Sequence, residues 1–598
     1  MSLFPVIQGR AWPGRLRPFT PRGIASGTMA LLLLLAVACG TAATATPAPK
    51  PTTAPAPSTG GQATPTAMPK ATPTPAAPVV NPGKLTWMVA SWGAGRFDSV
   101  LSGTGVSNQY ARQIHGFLIA ANPQGSMIPG IATDWSISAD GLAWTVNLRD
   151  GVQFHDGTSL TAADVAWSMS HEMGPDILGF ANSTTSQAAA RNAAGVEQTG
   201  PKQVTYRTKA PDSGVPSGLW SEAGPNWLGH ILPKRAELHN EAAETAYDQK
   251  PIGAGPFKLI RHVPAEVMEF ERFENFYYQP KNGLPEDRRP KFKFLDLRVV
   301  PEEATRVAAL RAKEADVAPI SISSKKQLEA GGGRVIFGPE GVYMRVMLHG
   351  CFDENNLYNK YPCKDKKVRQ ALDLALNKNI MRDQLYGGPD VFSTKGWEMV
   401  TPGSIGYSPD LDVWPQDIAK AKRLMAEAGY PNGQGFGKLI VNTWVSASMP
   451  NLPEAAQLAA DTWRRELGLD TEVKIGDEAA LNAARRSGAL NGQITFRDNE
   501  ARLDGASILR SSYGTPTQTD RMHHDQAIFD MVAKTLAVTD PAQRGPALNT
   551  VYKRLRDETY ELGMGYVNIP WGVGPRVAEW QPFTFSFFPS GMHTIVLK

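Results

Sequence analysis

The chain has 598 residues, 42% hydrophobic and 20% charged, a globular composition too long for a single core. Its net charge of +4 is small for that length and the basic residues are dispersed, so no nucleic-acid partner is expected. Only three cysteines occur and none forms a CxxC pair, so no metal centre or cofactor is expected.

Arg10, Arg15, Arg17 and Arg22 precede an apolar run from Met29 to Ala38, which leads into Cys39-Gly40. A basic segment, a short apolar run and small residues before a cut describe an export signal. The run is far shorter than the ~20 apolar residues a spanning helix needs. Cys39, directly after the small residues, makes the segment resemble a bacterial lipoprotein signal. That resemblance implies loss of residues 1–38, acylation of Cys39 and a lipid anchor in a membrane. Ala36 stands where the pattern usually has Leu, and an ordinary signal peptide is the alternative. Residues 39–82 are rich in Ala, Thr and Pro. They cannot bury enough apolar surface to offset their ordering entropy, and read as a disordered tether.

The folded body begins with a strand over Gly83–Ala90, a loop carrying Trp92, and a short helix over Tyr110–Leu118. Ala143–Arg149 alternates, with Trp144, Val146 and Leu148 on one face, and reads as a half-buried strand. Asp150-Gly151 and Asp156-Gly157 are turn signals bracketing a second extended piece, Val152–His155. Thr161-Ala-Ala-Asp164 resembles a capping box opening a helix with Val165 and Met169. Pro201–Thr208 is a further strand. Gly253-x-Gly255 has Lys258 where a dinucleotide fingerprint needs its third glycine, so it reads as a tight turn into a strand. Strand, helix and turn follow over Phe294–Val300, Glu303–Leu310 and Glu314–Val317, then a strand over Val342–Leu348.

Asp365–Tyr386 carries an apolar stripe at helical spacing and ends at Gly387-Gly388. Asp417–Ala428 is a helix with a glycine stop at Gly429. Leu439–Trp444, Glu454–Leu467 and Thr471–Ile475 read strand, helix, strand, which implies partly parallel sheet. Asn491–Phe496 should be another strand, with Arg497-Asp498-Asn499 just beyond it. Helices over Ala527–Thr535 and Pro541–Leu562 come last, the second capped by Thr539 or Asp540.

No catalytic constellation is found: there is no G-x-S-x-G elbow, no phosphate loop and no HExxH. His523-His524 reads as a surface pair. Three stretches instead resemble one family. GIATDWSISADGLAWTVNLRDGVQFHDGTSLTAADV, PIGAGPFKLIRHVPAEVMEFERFEN and VRQALDLALNKNIM are similar, in order, to signatures of the extracytoplasmic solute-binding proteins of peptide, oligopeptide and nickel ABC importers. The likeness runs from about Lys84 to the C-terminus. It implies an α/β, two-lobed periplasmic-binding-protein-like fold of type II, cluster C-like, with a hinge. The first lobe would be residues 83–340 and 565–598, with an inserted subdomain at about 115–245. The second lobe would be residues 341–564.

The resemblance implies a binding protein, not an enzyme. It would capture a solute, foremost a peptide, outside the cytoplasm or in the periplasm, and deliver it to permease subunits driven by ATPases. A nickel chelate, an oligosaccharide or an opine is the alternative solute; an exported hydrolase or a scaffold is the rival from another class. In peptide-binding relatives an Asp at the place of Asp498 pairs with the ligand's α-amino group. Asp504 is the other candidate for that role, and Arg497 could bind a ligand carboxylate or neutralise Asp498. Trp92, Trp444 and Trp571 are candidate ring contacts near the cleft, with packing as the alternative. With Cys39 consumed by processing, Cys351 and Cys363 remain and are expected to form a disulfide; free thiols, or a metal site beside His349, are the alternatives.

Overall fold

The computed structural model describes residues 83–598, apart from 94, 99–107, 175–183, 223–227, 236–240, 354–360, 447, 450, 515–522 and 587–590. Cys39, the export signal and the 39–82 tract lie outside the described residues.

Strand β1 (Lys84–Val89) is buried from Leu85 onward, and helix α1 (Asn108–Ile114) follows it. The chain then builds a sheet of its own from β2 (Ala132–Ile137), β3 (Ala143–Leu148), β4 (Ala193–Gly200) and β5 (Gln203–Thr208). The order is β2-β3-β5-β4, antiparallel throughout. The alternation of β3 sends Trp144, Val146 and Leu148 into a core completed by Val165 and Met169 of helix α2 (Ala162–Met173). The capping box at Thr161 is present: Asp164 N–H donates to the Thr161 side chain, and Thr161 N–H donates to the Asp164 carboxylate at 2.8 Å. Val152–His155 is the expected extended piece, but it pairs only through an isolated bridge of Gln153 with Ser159 and joins no sheet. Its turns close on themselves, Phe154 N–H on Thr158 O, and His155 N–H turns away to Gly253 O.

A hairpin of β6 (Phe257–Val263) and β7 (Val267–Arg272) lays itself against β8 (Phe294–Val299). Helix α3 (Glu303–Arg311) leads to β9 (Val317–Pro319), and β8 and β9 flank β1 in parallel. Gly253 and Gly255 have a different cause from the expected turn. Neither has a positive φ; a Cβ on Gly253 would lie 2.1 Å from the Ile114 carbonyl oxygen, so close backbone approach to the end of α1 excludes a side chain.

The long strand β10 (Arg334–Leu348) leads into α4 (Lys366–Ala375), α5 (Ile418–Glu427), β11 (Lys438–Thr443), α6 (Leu452–Leu467), β12 (Asp470–Ile475) and β13 (Ile494–Glu500). Helices α7 (Ala506–Tyr513), α8 (Gln526–Leu536) and α9 (Pro541–Asp557) precede a second long strand, β14 (Glu561–Val573). The main sheet runs β6-β7-β8-β1-β9-β14-β10-β13-β11-β12. The β10–β14 ladder pairs Arg334 with Val573 through Gly338 with Ile569, breaks, and resumes with Val342 opposite Val567. Pro339, Glu340 and Gly341 therefore bulge at the point where the sheet passes from its β1 half to its β13 half.

Several element boundaries differ from the sequence reading: the strand expected at Val342–Leu348 begins at Arg334, and the helix expected over Tyr110–Leu118 is Asn108–Ile114, with Gly116–Phe117 extended. The helix begun at Lys366 ends at Ala375: Leu376 is extended, the Asn377 side chain caps a new turn at Ile380 N–H, and Lys378 Nζ folds back to Asp373 at 2.6 Å. Helix α9 stops at Asp557, because Thr559 adopts φ 52° and Glu561 already belongs to β14. Strand β13 continues to Glu500, so Arg497 and Asp498 lie within it.

Cys351 and Cys363 are bonded in the structure, with Cα atoms 5.2 Å apart. Peptide mapping without reductant is expected to recover the two as one linked pair. Replacing both by serine should cost about 3 kcal/mol in urea unfolding, the chain-entropy value for so short a loop; an unchanged midpoint would contradict this.

Candidate functional site

The parallel strands β11 and β13 pair Asn442 with Thr495, so β11 stops at Thr443 while β13 runs on to Glu500, and open α/β sheets place ligands outside the carboxyl ends of their strands. Asp498 lies near that end of β13. Its Oδ2 accepts from Ser446 Oγ at 2.9 Å and from Ser448 Oγ, both on the loop leaving β11. No ammonium or guanidinium hydrogen-bonds to its carboxylate among the described residues. The Arg497 guanidinium lies 5.5 Å from the Trp444 ring centroid, and its Nε donates to the Asp498 backbone carbonyl at 3.2 Å. Burial, then nearby Arg345, lowers its pKa, while Asp498 raises it.

Strand alternation puts Glu500 on the same face as Asp498. Burial pushes its carboxyl up to about 7 against the pull of Arg502 and Arg112. Arg112 belongs to α1, so charge from the β1 half of the molecule reaches the β13 strand end. Tyr386 is 4% exposed and its hydroxyl has no hydrogen-bond partner among the described residues. Burial and then the Asp498 charge push its pKa far above the ordinary value. Reading β13 as ending at Phe496 hid Glu500; its only signal was the two-residue spacing from Asp498.

The structure brings Trp444, Arg497 and Asp498 together and places the other candidates elsewhere. Trp92 is packed edge-on against His262, centroids 6.1 Å apart. Trp571 sits edge-on to Trp87 at 5.5 Å and to Trp580 at 6.0 Å. Both rings are 3% exposed, and none of these contacts involves Asp498. Asp504 is already matched: Arg544 donates to it from Nη2 at 2.7 Å and Nε at 3.0 Å.

Two buried charge clusters lie apart from this strand end. Ligand-type atoms of Asp98, His171 and Glu244 lie within 4.8 Å of one another. Arg235 donates to Asp98 at 2.8 Å and to Glu244, supplying there the positive charge a cation would bring. Burial opposes the Asp98 charge, but His171 and Arg235 outweigh it and hold the carboxyl well below the usual range. Burial and Asp98 push Glu244 up to about 9. The cluster ties the loop at Asp98 to α2 and to the helix Glu241–Gln249.

In the second cluster Arg345 donates to Glu561, Nε at 2.8 Å and Nη2 at 2.5 Å, and Tyr513 Oη donates to the same carboxylate at 3.1 Å. Glu398, 3% exposed and at φ 48°, shares this pocket; burial and the Glu561 charge push its carboxyl well above 4.5. An acid whose folded pKa is raised binds its proton more tightly when folded, so its stability is full below about 4.5 and is lost as pH rises beyond that value. Glu398→Gln removes this loss. Urea unfolding from pH 4.5 to 8 is expected to show the variant gaining on the parent as pH rises; a constant difference would overturn the assignment.

The model for bacterial extracellular solute-binding proteins, family 5 Middle, matches residues 126–513. The chain is 27% identical over 474 residues to the glutathione-binding protein GsiB of Pectobacterium atrosepticum, an alignment covering 76% of this chain and 82% of that relative. Among solved structures it is similar to the ABC transporter substrate-binding protein CtaP of Listeria monocytogenes, with 20% identity, TM-score 0.69, and 86% and 99% of the two chains covered. NikZ of Campylobacter jejuni in complex with Ni(L-His) gives 18% identity, TM-score 0.68, and 87% and 100% coverage. These folds are two-lobed and α/β.

Proposed function

The chain belongs to the family 5 bacterial extracellular solute-binding proteins, and from that premise we propose that its solute is a short peptide held through its α-amino group by Asp498. A protein of this family captures a solute between two lobes and presents it to an ABC-type importer. The observation that carries the peptide reading is the Asp498 carboxylate, set just past the carboxyl end of β11 and met, among the described residues, only by serine hydroxyls. An amine taken out of water needs such a charged partner. Glu500 adds a second carboxylate on the same face, and Arg497 beside Trp444 offers a cation for a peptide carboxylate. The similarity to a glutathione-binding protein supports a tripeptide-sized ligand. Trp92 and Trp571 are packing residues in this reading, and the chain is a binding protein, not an enzyme.

The bulge at Pro339–Gly341 supports a hinge there, with residues 83–340 and 565–598 as the first lobe, an insertion at about 115–245, and 341–564 as the second lobe. Closure about so short a segment is hinge motion. The permease subunits and their ATPases are the partners of this reading. Its placement is outside the cell membrane or in the periplasm, on a lipid chain at Cys39. Intact mass of membrane-extracted protein should start at an acylated Cys39; an unlipidated N-terminus elsewhere removes the anchor.

Native mass spectrometry of freshly purified protein should find a co-purified peptide, and calorimetry should detect glutathione or a related tripeptide. Truncating one partner of a desolvated charge pair costs about 2–5 kcal/mol, so Asp498→Ala should weaken binding by more than about tenfold with little change in the apo melting temperature. Equal affinity in parent and variant would remove Asp498 from the site; a co-purified nickel chelate, opine or oligosaccharide would replace the peptide reading.

A further inference from the structure

The insertion touches the β13 half of the molecule at one buried polar seam. On the insertion side is the segment from Asp212 to the single helical turn Pro216–Trp220, just after β5. On the other side are Asp504, helix α7, the end of α8 and the start of α9. Arg510 Nη2 donates to Asp212 at 2.6 Å, and the two residues are 5% and 2% exposed. Ser217 Oγ donates to Asp504 at 2.8 Å. Arg544, besides pairing with Asp504, donates from Nη1 to Ser213 Oγ. The Ser213 amide donates to the Leu536 carbonyl at 2.8 Å.

The backbones meet without room to spare. A Cβ on Gly214 would lie 2.4 Å from Ala506 Cβ, and one on Gly218 would lie 3.3 Å from Ser507 Cβ. Glycine is the residue that allows such approach. Asp212 is held ready on its own side: Gly214 N–H donates to its carboxylate at 3.0 Å, and Trp144 Nε1 donates to its backbone carbonyl at 2.8 Å.

We propose that this seam is a release latch, formed when the lobes close and parted as a unit when the solute is delivered. The proposal rests on the two-lobed solute-binding reading. Its physical basis is that the seam is polar. An apolar seam of this tightness would favour permanent closure. Here, parting returns Arg510 and Asp212 to water together, so hydration repays much of the lost attraction. Arg510 Nε and Nη1 have no partner among the described residues and also gain water on opening. Asp504 and Arg544 stay paired with each other when the seam parts, so no buried charge is left alone.

The test uses the full chain without ligand. Hydrogen exchange on the parent needs no substitution: the Ser213 amide should exchange at least about tenfold faster than the paired amides of β5, because it is released by seam opening alone. Small-angle scattering should give a larger radius of gyration for Asp212→Asn and for Gly214→Val, which wedges the seam, than for the parent. Circular dichroism and melting establish that each variant is folded. With glutathione as probe, dissociation from Asp212→Asn should be about tenfold faster, within the range of coupling energies between sites. A Ser213 amide as protected as β5, or an unchanged radius in either folded variant, overturns the latch and leaves solute binding standing. Seam opening in a protein that binds no solute would remove the binding reading and the latch with it.

Discussion

Two strands set what every other part can do. β10 and β14 run on from one half of the main sheet into the other, and their ladder shifts register twice close together, between Gly338 and Val342 and between Tyr343 and Arg345. On either side of that stretch, hydrogen-bonded backbone is stiff. Within it, Glu340 takes φ 52°, its amide donates to the Asn568 side chain at 2.9 Å, and its carboxylate accepts from Thr401 Oγ1 and the Gly403 amide. A left-handed, non-glycine residue clamped from both sides is a local irregularity placed where bending is concentrated. Irregular pairing is thus concentrated in one short stretch of the two strands, which is the feature behind the hinge proposed there.

Buried charge in this molecule is of two kinds. Around Asp98 and around Arg345, each charge has its counter-charge in the same cluster, and the clusters tie loops and helices to the core. Around Asp498 and Glu500 the partners are hydroxyls and more distant guanidiniums. That difference is the ground on which Asp498 and Glu500 are proposed as the carboxylates that meet a solute. Removing one member of the first kind exposes an uncompensated buried ion, typically a loss of about 3–5 kcal/mol.

The seam between the insertion and the α7 region belongs to neither kind. Its charges are paired across a boundary between pieces built from distant parts of the chain, Asp212 with Arg510 being the plainest case. A boundary held mainly by polar groups separates with less apolar surface exposed to water than the Trp87–Trp571–Trp580 packing would expose. Motion is thus directed to the polar boundary by the same rule that makes the apolar one permanent.

What the sequence determined by itself was local. The alternation of Ala143–Leu148, the Thr161–Asp164 box, the Gly468 stop of α6 and the β-α-β order of the later half all depend on neighbours a few residues apart, and the structure shows each of them. The family likeness was legible because long signatures conserve such local rules together. What only tertiary structure decided were matters of partners distant in sequence. β13 runs on through Asp498 to Glu500 because β10 pairs with it along its whole length. Trp571 looks like any strand-end tryptophan until Trp87 and Trp580 pack on it. Asp504 and Asp498 are equivalent on paper; Arg544, 40 residues further on, neutralises one and leaves the other to its serines. A residue's own chemistry is written in the chain, but whether that chemistry is already satisfied depends on which distant side chain the fold brings to it.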